Sequence, residues 1–265
     1  GTSAIKVVQL KKEYGKIVLQ TYGEVATGPY ADKQSGEIPN LSADQLVQAV
    51  QDVIKESNVN TTNATFSIQA SASLLFVLDL PDLSDRELEK VVPTEARKYI
   101  PVPINEVSLD WFPVPKQEYV DNPERKSGRE VLVVAIRKET ISSYNDLIHQ
   151  AGLSSQVLEV EVFSSIRSTF HHELQPVVLV DFGASSTRVA VVEYGVVKVF
   201  HTINRGSHYL SQSLATALDI PFEDAEKIKK TSGMNKMSNQ EAGEVINTAV
   251  NYIFSEINSV LLEYE

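Results

Sequence analysis

A pattern met at residue 1 returns at residue 183. The chain opens with Gly1-Thr2-Ser3-Ala4, runs through Ile5-Lys6-Val7-Val8-Gln9-Leu10, and turns at Glu13-Tyr14-Gly15 into Lys16-Ile17-Val18-Leu19-Gln20-Thr21. From Gly183 it reads Gly183-Ala184-Ser185-Ser186, then Thr187-Arg188-Val189-Ala190-Val191-Val192, Glu193-Tyr194-Gly195 and Val196-Val197-Lys198-Val199-Phe200-His201-Thr202. Each copy is a small-residue turn, a strand with a cation near its start, a hairpin turn and a second strand. The offset is 182 at the first turn and 180 at the hairpin, so the first hairpin is the longer. The second copy follows a strand, Val177-Val178-Leu179-Val180, that ends in Asp181-Phe182. The first copy has no such strand, and about six residues ending in an acidic position are expected ahead of Gly1. Two copies of one sheet unit dictate an α/β chain with two pseudo-equivalent lobes.

Between the copies the periodicity changes several times. Leu41-Ser42-Ala43-Asp44-Gln45-Leu46 carries a capping box, with Ser42 as N-cap and Gln45 three residues on, and opens a helix whose apolar face is Leu46, Val50, Val53 and Ile54. Residues 65–70 alternate as a half-buried strand. A different unit begins near Leu74. It is predicted as strand Leu74–Leu80, a helix capped by Ser84 with Glu87 and reaching about Tyr99, and strand Glu106–Val114. A charged loop over 116–130, strand Val131–Arg137 and helix Ile141–Ala151, closed by Gly152, complete it. Pro93 is expected to kink or split the first of these helices. A strand near Leu158 and a helix over Val162–His172 lead back to the repeat, and helices over Leu210–Leu218, from Pro221 onward and over Tyr252–Leu262 follow it. The expected organisation is a first lobe core over 1–73, an inserted α+β subdomain over 74–153, a return over 154–175 and a second lobe over 176–265.

Composition narrows the chemistry. Without cysteine, the chain has no disulfide, zinc-thiolate site or cysteine nucleophile. Its 24 Lys and Arg against 35 Asp and Glu give a net charge of −11. That balance opposes general attraction to nucleic acid or anionic lipid, whose non-specific affinity comes from positive charge. No apolar stretch approaches the ~20 residues that span a bilayer. Neither a Walker loop nor a Gly-x-Gly-x-x-Gly fingerprint occurs.

What remains is the pair of turns. Turns rich in Gly and Ser converge backbone N–H groups on one point, where an anion can sit without charged side chains. Thr2, Ser3, Ser185, Ser186 and Thr187 add hydroxyl donors, and Lys6 lies near enough in sequence to reach a phosphate oxygen. Asp181, at a strand end, suits a hydrated divalent cation, which takes carboxylate, phosphate and water. Each turn alone is also what an ordinary hairpin would use.

This arrangement resembles the actin-like ATPase superfamily, which has a ribonuclease H-like, two-lobed fold and grips a nucleotide between two hairpin loops called phosphate 1 and phosphate 2. Glu95-Ala96-Arg97-Lys98-Tyr99-Ile100-Pro101-Val102-Pro103, followed by Glu106-Val107 and Leu109-Asp110-Trp111, resembles more narrowly the PilM family of type IV pilus assembly. The resemblance makes residues 74–153 similar to the inserted subdomain that this family shares with the division protein FtsA. It implies that Gly1, Thr2, Ser3 and Lys6 belong to phosphate 1, and Asp181, Gly183, Ala184, Ser185 and Ser186 to phosphate 2. Asp181 would be the metal carboxylate. Glu161, with Glu159 as alternative, would stand near metal-bound water in a catalytic role. Asn204-Arg205-Gly206 would pass close to the nucleotide, or serve only as a turn and helix cap.

The implied cofactors are ATP and Mg2+, and the implied partner is the short cytoplasmic N-terminus of the inner-membrane protein PilN, held by the edge of strand Leu74–Leu80 or in a cleft beside the insertion. Other inner-membrane pilus components and self-association are further implied contacts, at the cytoplasmic face of the inner membrane without insertion. The Asp-x-Gly strand of phosphate 1 is absent, and so is any Gly-Gly pair for the family's adenosine loop. Tight ATP binding by this chain is therefore not expected, nor more than slow hydrolysis by an intact parent. An FtsA-like, membrane-tethered filament former is the alternative reading.

His171-His172 with Glu173 reads as a solvated helix end, since adjacent helical residues point ~100° apart. His201 and His208 have no metal-ligand spacing, and Trp111 and Tyr99 read as packing.

Overall fold

A computed structural model describes residues 1–34, 36–115, 128–170, 175–235 and 239–264. The first repeat forms strands β1 (Ala4–Glu13) and β2 (Lys16–Ala26), and the second forms β9 (Thr187–Glu193) and β10 (Val196–Ile203). Both hairpins turn through two residues of positive φ, Tyr14 and Gly15 at 49° and 80°, Tyr194 and Gly195 at 51° and 78°. Positive φ at both central residues makes a type I′ turn, whose twist matches that of the strands it joins. The repeat is thus a repeat of backbone geometry.

Strand β8 (Val177–Phe182) extends the second hairpin into a sheet of order β10-β9-β8. Helix α7 (Gln240–Tyr264) covers one face, packing Ile253, Ile257 and Val260 on Val189 and Ile203. Among the described residues the first hairpin pairs only with itself, and helix α1 (Ala43–Glu56), opened by the expected Ser42–Gln45 capping box, lies against it. Val8, Leu10, Ile17 and Tyr22 on its other face are exposed, whereas Ala190 and Val192, at the positions equivalent to Val8 and Leu10, are buried. Short parallel strands β3 (Phe66–Ile68) and β7 (Leu158–Val160) form a separate two-stranded sheet.

Strands β4 (Ser73–Pro81), β5 (Val107–Pro113) and β6 (Gly128–Arg137) form a sheet of order β4-β6-β5, with α2 (Asp85–Ala96) on one side. Val131, Val133 and Ala135 pack with Leu88, Val92 and Ala96 of α2, while Leu132 and Val134 join a core with Ala190, Val192 and Val197. Period-two alternation with both faces covered explains why β6 reads as a continuous apolar run. Strand β4 lies at a sheet edge as expected, and it packs against β10. Helix α2 runs unsplit through Pro93, whose missing N–H leaves the Glu89 carbonyl without its helical bond, and ends three residues later at Ala96.

Helix α3 (Lys138–Gln150) follows β6 directly, and α4 (Glu161–Thr169) follows β7 without a break. Helices α5 (Ser207–Leu218) and α6 (Phe222–Thr231) pack with α7 around Leu214, Ala225, Ala242 and Ile246. Most of the charged loop over 116–130, and His171, His172 and Glu173, lie outside the described residues.

Candidate functional site

The two turns meet. Thr2 Oγ1 donates to Ser185 Oγ at 3.1 Å, across 183 residues of sequence. Each turn is also tied to the segment leaving its own hairpin. Thr27, 2% exposed, donates its N–H to Ser3 O at 2.9 Å and its hydroxyl to Thr2 O at 3.0 Å. In the second copy Gly183 N–H donates to Ser186 O at 3.0 Å, Ser207 N–H to Gly183 O at 2.9 Å, and His208 N–H to Ala184 O at 3.0 Å. Thr187 is fully buried and donates to Arg205 O at 2.8 Å.

Gly206 makes this clamp possible. A Cβ there would stand 2.4 Å from Gly183 O and 2.6 Å from Ala184 O, inside van der Waals contact with backbone that cannot move aside. Gly206 is the N-cap position of α5, which fits the turn-and-cap reading of Asn204-Arg205-Gly206, and it touches the second turn. Arg205 beside it lies over Tyr209 and Tyr252, 4.5 and 3.7 Å from the ring centroids, which ties the turn to α7.

The carboxylates gather on a residue whose role sequence reasoning missed. Arg188 Nη1 donates to Asp181 Oδ2 at 2.5 Å, and its Nε approaches Glu161 Oε1 at 2.9 Å without hydrogen-bond alignment. Glu161 also accepts from Ala70 N–H at 2.8 Å. Burial raises the Tyr144 hydroxyl, beside Glu161.

Glu159 is occupied elsewhere. It accepts two bonds from Arg167, at 2.5 and 2.6 Å, and that fork holds its carboxyl below the ordinary range. Lys6 stays on the outer face of its hairpin, 3.9 Å from Glu24 with 72% of its side chain exposed. Of the expected residues, Thr2, Ser3, Gly183, Ala184, Ser185, Ser186 and Gly206 come together at the turns, Glu161 and Asp181 meet at Arg188, and Lys6 points away. The signal that could have found Arg188 was its place in the repeat, where it stands opposite Lys6.

A third cluster stands beside the second turn. Lys229 Nζ donates to Ser207 O at 3.1 Å, and Ser211 Oγ donates to Glu226 at 2.5 Å. Burial alone would raise Glu226, but hydrogen bonds from Lys229 and Ser211 outweigh it and lower its pKa. The loop after the first hairpin reaches this cluster. Gly36, at a φ of +97°, faces Glu226, and Gln34 donates to Glu223 at 3.4 Å.

Beside the β4-β6-β5 sheet lies a cavity of about 540 Å³. Leu132, Val134 and Ile136 of β6 line it with Asp110 and Phe112 of β5, residues 158–160 of β7, Phe163 of α4 and residues 195–197 of the β9–β10 turn. Its size and apolar walls suit a short peptide segment or a small apolar ligand.

The family model for type IV pilus assembly protein PilM matches residues 1–261. The chain belongs to this family. Its fold is actin-like: the chain superposes over its whole length on 75% of a chain of the PilM-PilN type IV pilus biogenesis complex, at 22% identity and a TM-score of 0.78. It also superposes over its whole length on 70% of ethanolamine utilization protein EutJ from Carboxydothermus hydrogenoformans, at 16% identity and a TM-score of 0.56. Cell division protein FtsA of Neisseria meningitidis serogroup B (strain ATCC BAA-335 / MC58) is 22% identical over 236 residues, 82% of this chain and 56% of that protein. The chain thus spans little more than half the length of this curated relative. Among the described residues no helix is long and apolar enough to cross a membrane.

Proposed function

We propose that this PilM-family chain is part of a cytoplasmic scaffold of type IV pilus assembly, which docks the N-terminal tail of PilN and is held at the inner membrane through that partner. The observation that carries the reading is the apolar cavity between the inserted sheet and the β9–β10 turn, large enough for several residues of extended chain. That a PilM-PilN complex exists for a relative of this fold supports it.

A nucleotide belongs to the same proposal, between the turns at Thr2-Ser3 and Gly183–Ser186. The residues fit such a group. The hydroxyls of Thr2 and Ser185 converge, and Gly206 lets the start of α5 clamp the second turn in place through its first N–H groups. Asp181 would hold Mg2+, whose positive charge would offset that of the phosphates. Among the described residues no group of three or more His, Cys, Asp or Glu is placed to hold a metal, so the cation would rely on phosphate oxygens and water beside Asp181. Glu161, gripped by Ala70 N–H, would orient water on the same side. Any hydrolysis would be slow, with binding used to select between lobe arrangements.

Calorimetric titration of the full-length protein with a PilN N-terminal peptide tests the docking. Saturable binding that V134D weakens at least tenfold is expected, and the absence of binding would overturn the reading. The match to FtsA over 82% of the chain favours one competitor, a membrane-tethered filament former. Polymerisation on lipid without peptide binding would select it.

A further inference from the structure

Arg188 stands between the two candidate sites. It holds Asp181 of β8 and approaches Glu161, and Glu161 begins α4 directly after the Leu158–Val160 strand that floors the groove. A second connection is the β9–β10 hairpin, whose Thr187 end adjoins the turn and whose Gly195–Val197 end walls the groove. At ~3.3 Å per residue the strand between them is roughly 23 Å long.

This hairpin has little freedom to flex. Val189, Val191, Val192 and Val197 are at most 1% exposed, and Lys198, at the bulge in β10, is ion-paired to Glu130 of β6. Packed elements of this kind shift as units, so a displacement at one end is felt at the other. The Arg188 bridge itself is built to exchange. Arg167 grips Glu159 through two aligned bonds, whereas Arg188 divides itself between two carboxylates and leaves its buried Nε without a hydrogen bond.

We propose that Arg188 couples the turn to the groove, so that a nucleotide with its divalent cation at residues 183–186 weakens binding of the peptide tail. This rests on the docking reading above. Without ligand, the guanidinium supplies the positive charge beside Asp181. A divalent cation competes for that carboxylate, and phosphate oxygens attract the guanidinium in turn. Both exchanges untie α4 from β8. The groove then loses a pre-organised wall, and the tail must bear the cost of ordering it. By linkage, the tail weakens nucleotide binding by the same factor.

The test titrates the PilN N-terminal peptide into the full-length protein with and without ATP and Mg2+, for the wild type, R188K and R188Q, and follows hydrogen exchange at residues 158–163. Tail affinity should fall about fivefold with nucleotide, the lower end of usual coupling. R188K should bring that ratio close to one with both ligands still binding. R188Q should speed exchange at 158–163 without nucleotide, and R188K carries this measurement if R188Q does not fold. Equal or tighter tail binding with nucleotide overturns the coupling and leaves docking standing. If the tail does not bind at all, docking fails and exchange decides alone: rates at 158–163 unchanged by the Arg188 variants overturn the coupling.

Discussion

Thr2 Oγ1 donates a hydrogen bond to Ser185 Oγ, 3.1 Å away and 183 positions along the chain. In the register of the repeat Thr2 corresponds to Ala184 and Ser3 to Ser185, so the contact is shifted by one position and joins the copies where each begins. A part-buried hydroxyl pair of this kind is worth about 1 kcal/mol. A double-mutant cycle of T2V and S185A, read by denaturant unfolding, should give a coupling near that value. A coupling indistinguishable from zero would mean that the turns do not meet in solution.

Two glycines test different physics. A Cβ at Gly206 meets two carbonyl oxygens at 2.4 and 2.6 Å, whereas one at Gly15 meets nothing within 4 Å. G206A should cost about 1–3 kcal/mol through displaced backbone and should weaken any anion binding at the second turn. G15A strains only a positive φ, and should cost about 1 kcal/mol with no effect on that turn. Chemical denaturation of both variants checks the order.

Arg188 is 12% exposed at its side chain and faces Asp181 and Glu161, at 42% and 21%. R188M leaves both acids without their cation. Asp181 can rehydrate, so the expected loss is about 2–3 kcal/mol, below the full cost of breaking a buried pair. D181N should cost less than R188M, and the reverse order in thermal or urea unfolding would place the charge cluster wrongly.

Burial and the 2.8 Å hydrogen bond to Asp52 push the Tyr30 hydroxyl up to about 12. Its unfolded value is about 10, so the folded state holds the proton more tightly. The stabilisation is therefore complete below pH 10 and is lost as pH rises from 10 to 12. The stability difference between wild type and Y30F should shrink across that window, and a constant difference would contradict the assignment.

The local parts of this fold were legible because their causes are local. Glu13-Tyr14-Gly15 and Glu193-Tyr194-Gly195 make the same turn in both copies, and Ser42 with Gln45 caps a helix across three residues of sequence. Pro93 does not split α2, which runs on to Ala96. Arg188 was legible only as a strand cation. Its partners lie 7 and 27 positions earlier, and only sheet pairing and the start of α4 bring them to it. Lys6, in the matching place, turns outward to Glu24. Spacing could not distinguish Glu159 from Glu161 either, since what separates them is Arg167 in the last turn of α4.

Docking of the tail can be read directly by photo-crosslinking. A PilN N-terminal peptide carrying a photoreactive side chain, mixed with the full-length protein, irradiated and mapped by mass spectrometry, should label Leu132, Val134, Ile136, Phe163 and residues 158–160 and 195–197, the walls of the groove. Labelling on the exposed face of the first hairpin, at Val8, Leu10, Ile17 or Tyr22, with none in the groove, would contradict the account.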